Sequence, residues 1–564
     1  MTAAIYCNIA AALPRVATER PDALAIRCPS GATSEGEVEY GIALTYQELE
    51  ERSSAIAAAL ASVGIVRGTR TALMVRPSPE LFLVMFALFK AGAVPVLIDP
   101  GISKRALKQC LDEAAPEAFI GIPLAHAARV SLGWARKSCK VAVTVGARRF
   151  PHGLLWRGPT LDELLQRHGH AAFSPAATKP DDVAAILFTS GSTGVPKGVV
   201  YRHRHFVAQV EMLGAAFGIE AGGVNLPTFP PFALFDPALG LTSVIPDMDP
   251  TRPAQADPRK LISAIRQFGI TQMFGSPALL DTLSRYGTQH DIRLPGLKRV
   301  LSAGAPVPAH VVERMAAMLD EDACIHTPYG ATECLPVAII EGRELRHTHG
   351  DTANGAGTCV GIPVPPNEIR LIHIVDAPIA QWSDALQVEP GQIGEIVVAG
   401  PSVTDSYHAR PQATALAKIH EALPDGGTRI LHRMGDVGWL DAEGRLWFCG
   451  RKSQRVETAQ GPLYTEQVEP VFRTHLQVRR TALVGVGAFG SQVPVLCVEL
   501  ESTTPKRDWP RIRAELATIG AAHPHTARIQ TFLLHPKFPV DIRHNAKIGR
   551  EVLGKWAAKR VRSA

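Results

Sequence analysis

From about residue 45 to residue 333, hydrophobic positions alternate between helical and strand-like spacing. Residues 44–64 have helical spacing and end at Gly64, whereas 70–78 and 93–99 are predicted to be short strands followed by turns. The same strand-like pattern returns at 183–194, 270–278, 297–307 and 323–333, each time ending in a loop of Gly, Ser, Thr or Pro. This alternation predicts an α/β fold with largely parallel sheets, in which ligands bind beyond the carboxyl ends of the strands.

The pattern changes after residue 360. Short alternating runs at 394–400 and 444–451 predict a small antiparallel β section. Two strand-like runs, 481–487 and 493–500, and an amphipathic helix at 509–520 then form a compact unit. We therefore expect a large N-terminal domain of α/β subdomains plus the β section over residues 1–451, and a smaller, mobile α+β C-terminal domain over 452–564. The weakly patterned region 145–180 is expected to be irregular.

Composition narrows the class of protein. A chain of 564 residues holds several cores, because single cores stop growing near about 250–300 residues. Hydrophobic residues at 46% and charged residues at 20% are typical of a soluble globular enzyme. The net charge of +6 is mild and its basic residues are dispersed, apart from a C-terminal cluster, so nucleic acid is a poor candidate partner. Nine scattered cysteines without a CxxC pair predict reduced thiols and a cytoplasmic location.

The most hydrophobic segment covers residues 80–99. Lys90, Gly92 and Pro95 interrupt it well before the roughly 20 apolar residues that a membrane span needs. The apolar N-terminus has Arg15 after its apolar part and no positive charge before it, the reverse of a signal peptide. We expect a buried helix followed by a buried strand at 80–99, and no membrane span.

The segment LFTSGSTGVPKGVV, residues 187–200, is the first candidate for chemistry. It follows a strand-like run, and its glycines let the backbone approach a ligand while its hydroxyls and Lys197 offer donors and charge. It differs from a Walker loop because Pro196 precedes the lysine and Gly198 follows it. Such a loop is suited to binding a polyphosphate group that is released during the reaction. The candidate phosphate-binding residues are Thr189, Ser190, Gly191, Ser192, Thr193, Gly194 and Lys197.

This loop resembles the phosphate loop of the adenylate-forming superfamily, which contains acyl-CoA synthetases, peptide-synthetase adenylation domains and luciferases. Five further segments are similar to motifs of that superfamily, in the same order: SAGAPV at 302–307, YGATE at 329–333, GEIVVAGPSVTDSY at 394–407, RMGDVGWLDAEGRLWFCGRKSQ at 433–454 and NAKIGR at 545–550. The resemblance implies an enzyme that activates a carboxylic acid with ATP and Mg²⁺, forming an acyl-adenylate and releasing diphosphate.

The resemblance also implies a nucleotide site. Asp436 would accept hydrogen bonds from the ribose hydroxyls, and Arg451 would bridge ribose and phosphate with its fork of donors. Four residues would line the rest of the nucleotide pocket: Gly304, Ala305, Tyr329 and Gly330.

Three catalytic roles follow from the same resemblance. Glu333 would hold Mg²⁺, a hard cation that prefers carboxylate and phosphate oxygens. Thr332 would contact the α-phosphate. Lys547 would reach across from the small domain and neutralise charge as the substrate carboxylate attacks that phosphate.

The segment that serves thioester formation in the superfamily departs from its pattern here. In thioester-forming members this segment typically reads GRxDxxIKxxG, whereas this chain has Ser453 at the hinge position and Glu457 in place of the lysine. These departures put delivery of a thiol nucleophile in doubt.

The acyl side departs as well. Ala233 stands where the superfamily often has histidine, within PPFALFDPALG. Phe229, Phe232 and Phe235 make this segment apolar, and two interpretations stay open: an ordinary core, or a pocket for a long alkyl chain.

One local signature, YGATECLPVA with Cys334, Leu335 and Pro336, resembles the olefin β-lactone synthetases of bacterial long-chain olefin biosynthesis. That resemblance implies a long-chain 2-alkyl-3-hydroxy acid as substrate, whose own 3-hydroxyl attacks the adenylate and closes a β-lactone. It also implies association with other olefin-pathway enzymes.

Several alternatives remain. A long-chain acyl-CoA or acyl-AMP ligase is the main one, and a non-catalytic assembly or lipid-binding subunit is the other. His203 and His205 are candidates either for the base that accepts the hydroxyl proton or for packing. Cys334 is not needed as a covalent nucleophile, because the adenylate is already reactive.

Overall fold

The computed structural model describes residues 7–99, 101–147, 156, 158–189, 196–540 and 548–561. Its strands, in chain order, are β1 (Leu24–Cys28), β2 (Gly31–Ala32), β3 (Val38–Glu39), β4 (Ile42–Thr45), β5 (Arg70–Met74), β6 (Val94–Ile98), β7 (Ala118–Gly121), β8 (Val141–Thr144), β9 (Val183–Phe188), β10 (Gly198–Arg202), β11 (Val224–Pro227), β12 (Thr242–Val244), β13 (Gln272–Phe274), β14 (Arg299–Leu301), β15 (Cys324–Ala331), β16 (Cys334–Glu341), β17 (Thr358–Pro363), β18 (Glu368–Ile372), β19 (Gly394–Ala399), β20 (Lys418–Ala422), β21 (Thr428–Leu440), β22 (Leu446–Arg451), β23 (Val456–Thr458), β24 (Gly461–Leu463), β25 (Val478–Val486), β26 (Val493–Leu500) and β27 (Thr531–Leu534).

The α-helices connect these strands and cover the sheets. They are α1 (Ala12–Glu19), α2 (Tyr46–Ala61), α3 (Pro79–Lys90), α4 (Lys104–Ala114), α5 (Pro123–Leu132), α6 (Leu161–His168), α7 (His203–Phe217), α8 (Pro258–Gln267), α9 (Pro277–Gln289), α10 (Ala309–Met318), α11 (Gly342–His347), α12 (His349–Ala353), α13 (Pro411–Ala417), α14 (Thr465–Arg473), α15 (Trp509–Ala521) and α16 (Arg550–Val561).

Two sheets carry most of the chain before residue 452. One has the order β10-β9-β6-β5-β7-β8 and is parallel except for β10. The other runs β18-β19-β21-β22-β17-β16-β15-β14-β13-β11-β12-β1-β4, with β20 paired to β21. Its segment from β15 to β1 is parallel, and β15 to β18 continue it as an antiparallel section. The α/β fold and the later antiparallel section are confirmed.

The parallel strands are buried by helices on their faces, as their continuous apolar sequences require. Helix α3 shows this most clearly, because its residues from Phe82 to Lys90 are all buried. It ends at Lys90, and β6 begins after three intervening residues, so the predicted helix-strand pair at 80–99 is confirmed. Among the described residues, no helix is long and apolar enough to cross a membrane.

The last section has a sheet of its own. Strands β25, β26 and β27 form it, with α14 and α15 on a core around Phe472 and α16 on a second core around Leu553. The strands and the helix predicted at 481–487, 493–500 and 509–520 are confirmed.

One expectation about regular structure is wrong. Residues Leu161–His168, inside the region predicted to be irregular, form helix α6. Thr160 caps it: its side chain accepts a hydrogen bond from the Glu163 amide at 3.1 Å, and the Glu163 carboxylate accepts one from the Thr160 amide at 2.9 Å. This reciprocal pair satisfies donors that a helix start leaves free, so a short helix forms despite a weak apolar pattern.

Candidate active site

A cavity of about 2430 Å³ opens beyond the carboxyl ends of the parallel strands. Its lining includes the residue that follows each of three strands: Thr189 after β9, Thr228 after β11 and Ser302 after β14. Residues of β15, β21 and β22 line it as well. The cavity therefore lies where the sequence predicts ligands in an α/β sheet.

Asp436 and Arg451 face each other across β21 and β22 on the cavity wall. Asp436 Oδ1 lies 2.9 Å from Arg451 Nη1, and Oδ2 accepts a hydrogen bond of 2.6 Å from the Tyr329 hydroxyl. Burial raises the pKa of Asp436, and the Arg451 charge opposes that shift. Among the described residues, none donates a well-directed hydrogen bond to Oδ1. Oδ1 thus has an ionic partner in Arg451 and keeps acceptor capacity that a ligand hydroxyl in the cavity can use.

The loops beside this carboxylate bring backbone against the cavity. Gly304 has φ +96°, a conformation that favours glycine. A Cβ at Gly330 would lie 3.0 Å from the Cys334 carbonyl oxygen, so a side chain would crowd the hairpin there. The cavity is lined by all six residues predicted for the nucleotide pocket: Gly304, Ala305, Tyr329, Gly330, Asp436 and Arg451.

Thr332 and Glu333 form the turn between β15 and β16 and also line the cavity. Tyr201 donates a hydrogen bond of 2.5 Å to the Thr332 carbonyl. Tyr407 donates one of 2.6 Å to Glu333 Oε1. Burial and the Glu333 charge raise the pKa of Tyr407, so its hydroxyl stays protonated and keeps donating. The turn is thus fixed from two sides, with a carboxylate oxygen donor of the kind that Mg²⁺ prefers.

Lys197 lies on the same side of the cavity as Glu333. Its Nζ is 4.4 Å from the ring centroid of Tyr407, within the range of a cation–π contact. The Thr189 amide donates to the Lys197 carbonyl at 3.0 Å, which closes the base of the loop. The structure therefore brings Thr189, Lys197, Thr332 and Glu333 together.

Part of the predicted site lies outside the described residues. This applies to the central residues of the phosphate loop, Ser190, Gly191, Ser192, Thr193 and Gly194, and to Lys547.

Two contributors to the site had no role assigned from the sequence. Tyr407 is the last residue of segment 394–407, which resembles a superfamily motif, so its position in the sequence is a usable signal. Tyr201 had no comparable signal, because its partner Thr332 is 131 residues away in the chain.

The phenylalanines of PPFALFDPALG lie on the cavity. Phe229, Phe232 and Phe235 all line it, and the Phe232 ring packs edge-on against Phe274 with centroids 4.5 Å apart. Ala233 is fully buried in the core. Of the two interpretations of this segment, the structure favours an apolar pocket.

Comparison with known proteins shows the family to which this chain belongs. Residues 13–408 match the family described as AMP-binding enzyme. This chain belongs to that family. It is 64% identical to the olefin beta-lactone synthetase of Stenotrophomonas maltophilia (strain K279a) and 63% identical to that of Xanthomonas campestris pv. campestris, over 98% of both chains in each case. Its fold is similar to that of the amide bond synthetase McbA from Marinactinospora thermotolerans, with a TM-score of 0.74 and 21% identity over 97% of this chain and 99% of that one.

Cys334 has no access to the cavity of this AMP-binding enzyme. Its side chain is fully buried, and its Sγ lies 3.4 Å from Ser402 Oγ. Burial raises the pKa of the Cys334 thiol to about 11, which removes the thiolate that a nucleophile requires.

The two histidines after the phosphate loop are also internal. His203 and His205 are fully buried and are absent from the cavity lining. Burial lowers the pKa of His203 to about 4 and lowers that of His205 as well. Their position favours packing over a role as the base for the substrate hydroxyl.

The segment that departs from the thioester-forming pattern makes ion pairs. Lys452 Nζ lies 3.0 Å from the buried Glu395 carboxylate, which also pairs with Arg433 at 2.7 Å. Glu457, the residue in place of the superfamily lysine, accepts a hydrogen bond of 2.5 Å from Arg455. In this AMP-binding enzyme the side chain at the position of the superfamily lysine, Glu457, is therefore engaged in a structural contact.

Proposed function

We propose that this AMP-binding enzyme is an ATP-dependent olefin β-lactone synthetase that acts on a long-chain 2-alkyl-3-hydroxy acid. The observation that carries the proposal is 64% identity, over 98% of both chains, to an enzyme of that name. The apolar lining that includes Phe229, Phe232 and Phe235 suits long alkyl chains. Ser453 and Glu457, which replace thioester-associated residues, agree with a reaction that needs no thiol.

In the first half-reaction, a carboxylate oxygen of the substrate attacks the α-phosphorus of ATP and the bond to the diphosphate oxygen breaks. Asp436 accepts hydrogen bonds from the ribose, and Arg451 spans ribose and phosphate. Thr332 contacts the α-phosphate, and Lys197 with its loop guides the departing phosphates. Glu333 would hold Mg²⁺, which would supply neutralisation of the phosphate charge.

Lys547 is proposed to complete this step from a mobile C-terminal domain, residues 452–564, that moves against residues 1–451. A lysine ammonium near the attacking carboxylate and the α-phosphate stabilises the charge that develops between them. We also propose a cytoplasmic location and association with other enzymes of olefin biosynthesis.

In the second half-reaction, the 3-hydroxyl oxygen attacks the acyl carbon. The bond from that carbon to the AMP oxygen breaks, AMP leaves, and the hydroxyl proton passes to AMP or solvent. Nucleophile and acyl group belong to one molecule, and well-oriented intramolecular reactions reach effective molarities of about 10⁵–10⁸ M. Strain of the four-membered ring reduces this advantage, and the reactive adenylate supplies the driving force.

A matched pair of acids tests the proposal: a long-chain 2-alkyl-3-hydroxy acid and the same acid without its hydroxyl. Both carry the carboxylate, so both should release diphosphate in a first turnover. Only the hydroxy acid can discharge the adenylate by ring closure, so only it should support continuous diphosphate release with equimolar AMP. Continuous release with both acids would contradict the proposal, because an external nucleophile would then discharge the adenylate.

A further inference from the structure

Lys418 is a buried cation beside the candidate magnesium carboxylate. It is the first residue of β20 and lies opposite His432 of β21. Only 3% of the residue is exposed, and it is absent from the cavity lining. Its Nζ donates a hydrogen bond to the Thr404 carbonyl and lies 3.4 Å from Thr404 Oγ1.

Thr404 connects this lysine to Glu333. The Thr404 amide donates to the Glu333 carbonyl at 3.0 Å, and Thr404 Oγ1 donates to the same carbonyl at 2.9 Å. The hydroxyl that donates to Glu333 can accept from Lys418 at the same time. Lys418 therefore positions Thr404, which hydrogen-bonds to the backbone of Glu333, while Tyr407 hydrogen-bonds to the carboxylate of Glu333.

The arrangement differs from that of the other deeply buried lysine, Lys90. Lys90 Nζ lies 2.7 Å from Glu50 Oε1 and also donates to Ser53 and Ser54, so its charge is fully paired. Among the described residues, no carboxylate lies within salt-bridge distance of Lys418. A buried charge without a close counter-ion is costly, which makes a purely packing role for Lys418 unfavourable.

The titratable groups that interact with Lys418 are Glu333 and Lys197 of the candidate site, and Cys334 and Asp405, which do not line the cavity. Burial lowers the pKa of Lys418 to about 8, and Glu333, Cys334 and Asp405 oppose that shift while Lys197 adds to it. His432 is buried beside it, with a pKa lowered by burial and by the Lys418 charge.

We propose that Lys418 is a positioning residue for adenylation, which acts through Thr404 to fix the Glu333 turn where its carboxylate can hold Mg²⁺. The proposal rests on the function proposed above for Glu333. Residues that orient a metal ligand typically change metal affinity or activity by about 10- to 100-fold when they are replaced.

The test compares Lys418→Met with Lys90→Met, a matched removal of a buried ammonium group away from the cavity. Calorimetry measures Mg²⁺ affinity in the presence of a non-hydrolysable ATP analogue, and ATP–diphosphate exchange measures adenylation. For K418M we expect Mg²⁺ affinity and the exchange kcat to fall by about 10- to 100-fold, with the KM for the acid unchanged. K418R should recover part of both losses, and K90M should match the wild-type protein in both measurements.

Wild-type Mg²⁺ affinity in folded K418M would overturn the proposal. If K418M does not fold, Thr404→Val decides the matter, because it removes the shared hydroxyl and keeps Lys418; unchanged Mg²⁺ affinity in T404V would likewise overturn it. If the wild-type protein shows no exchange with any 3-hydroxy acid, the proposed function fails, whereas the calorimetric comparison still decides the role of Lys418.

Discussion

Replacing Asp436 with asparagine removes the charge from the nucleotide side of the cavity and keeps the size of the side chain. In the wild-type protein, Oδ2 accepts from the Tyr329 hydroxyl and Oδ1 faces Arg451 at 2.9 Å. An amide nitrogen facing Arg451 would set a donor against a cation. We therefore expect the new amide to donate to the Tyr329 oxygen and to turn its carbonyl toward Arg451, so that D436N keeps an acceptor for ribose but loses the charge.

The size of the effect follows from that geometry. Hydrogen bonds to a charged group contribute about 1.5–3 kcal/mol and neutral ones about 0.5–1.5 kcal/mol. The difference of about 1–1.5 kcal/mol per ribose hydroxyl weakens ATP binding by about 5- to 10-fold for one hydroxyl and by up to about 100-fold for two. Stability should change little, by less than about 1 kcal/mol, because Arg451 is 40% exposed and can be hydrated, and because the neutral amide no longer carries the cost of a buried charge.

Calorimetric titration with a non-hydrolysable ATP analogue measures the affinity, and urea unfolding measures the stability. Asp441→Asn is the matched control: Asp441 also accepts from an arginine and an aromatic donor, Arg445 at 2.7 Å and Trp447 at 2.8 Å, yet it is absent from the cavity lining. D441N should bind the analogue like the wild-type protein. Unchanged affinity in D436N, or equal losses in both variants, would refute the assignment of Asp436 to the ribose.

Three further predictions concern pH, Cys334 and the acyl cavity. Burial raises the pKa of Asp236 from 3.8 to about 7, so the free energy of unfolding should fall as pH rises through this window, by at most about 4 kcal/mol. Urea unfolding of D236N should show a smaller fall over the same pH range. An equal fall in D236N would show that Asp236 does not cause the pH dependence. C334A should retain lactone formation within a few-fold of wild type because the thiol is buried and protonated, whereas complete loss in a folded variant would indicate a chemical role. Leu239 lines the cavity, so L239W should lower kcat/KM for long acyl chains more than for short ones, and an equal effect on all chain lengths would place the acyl chain elsewhere.

The regular alternation of apolar runs made the fold predictable. Helix α3 and strand β6 illustrate both the reach and the limit of that pattern. Their continuous apolar sequence predicted that both elements are buried, and Lys90 within it indicated that the segment does not span a membrane. How Lys90 is accommodated could not be predicted, because its counter-ion Glu50 lies 40 residues away and is brought near only by the packing of α2 on α3. Helix α6 could have been found, since Thr160 and Glu163 have the spacing of a capping box.

The candidate site divides in the same way. Asp436, Arg451 and Glu333 could be proposed from the sequence because each lies in a short motif whose spacing is visible there, and all three line the cavity. Tyr201 and Lys418 were not found, because each acts through a residue that is distant in the chain or through a second side chain. Whether Phe229, Phe232 and Phe235 form core or pocket depended on where the cavity opens, which requires the three-dimensional arrangement of the sheets.

The measurement that tests the central claim most directly is the identity of the acyl product with and without coenzyme A. Purified protein is incubated with Mg²⁺, ATP and a long-chain 2-alkyl-3-hydroxy acid, and the product is identified by NMR under mild conditions, because heating could decarboxylate a lactone. We expect a β-lactone formed equally well without coenzyme A, together with AMP and diphosphate. A thioester that appears only when coenzyme A is present would contradict the account and identify an acyl-CoA ligase.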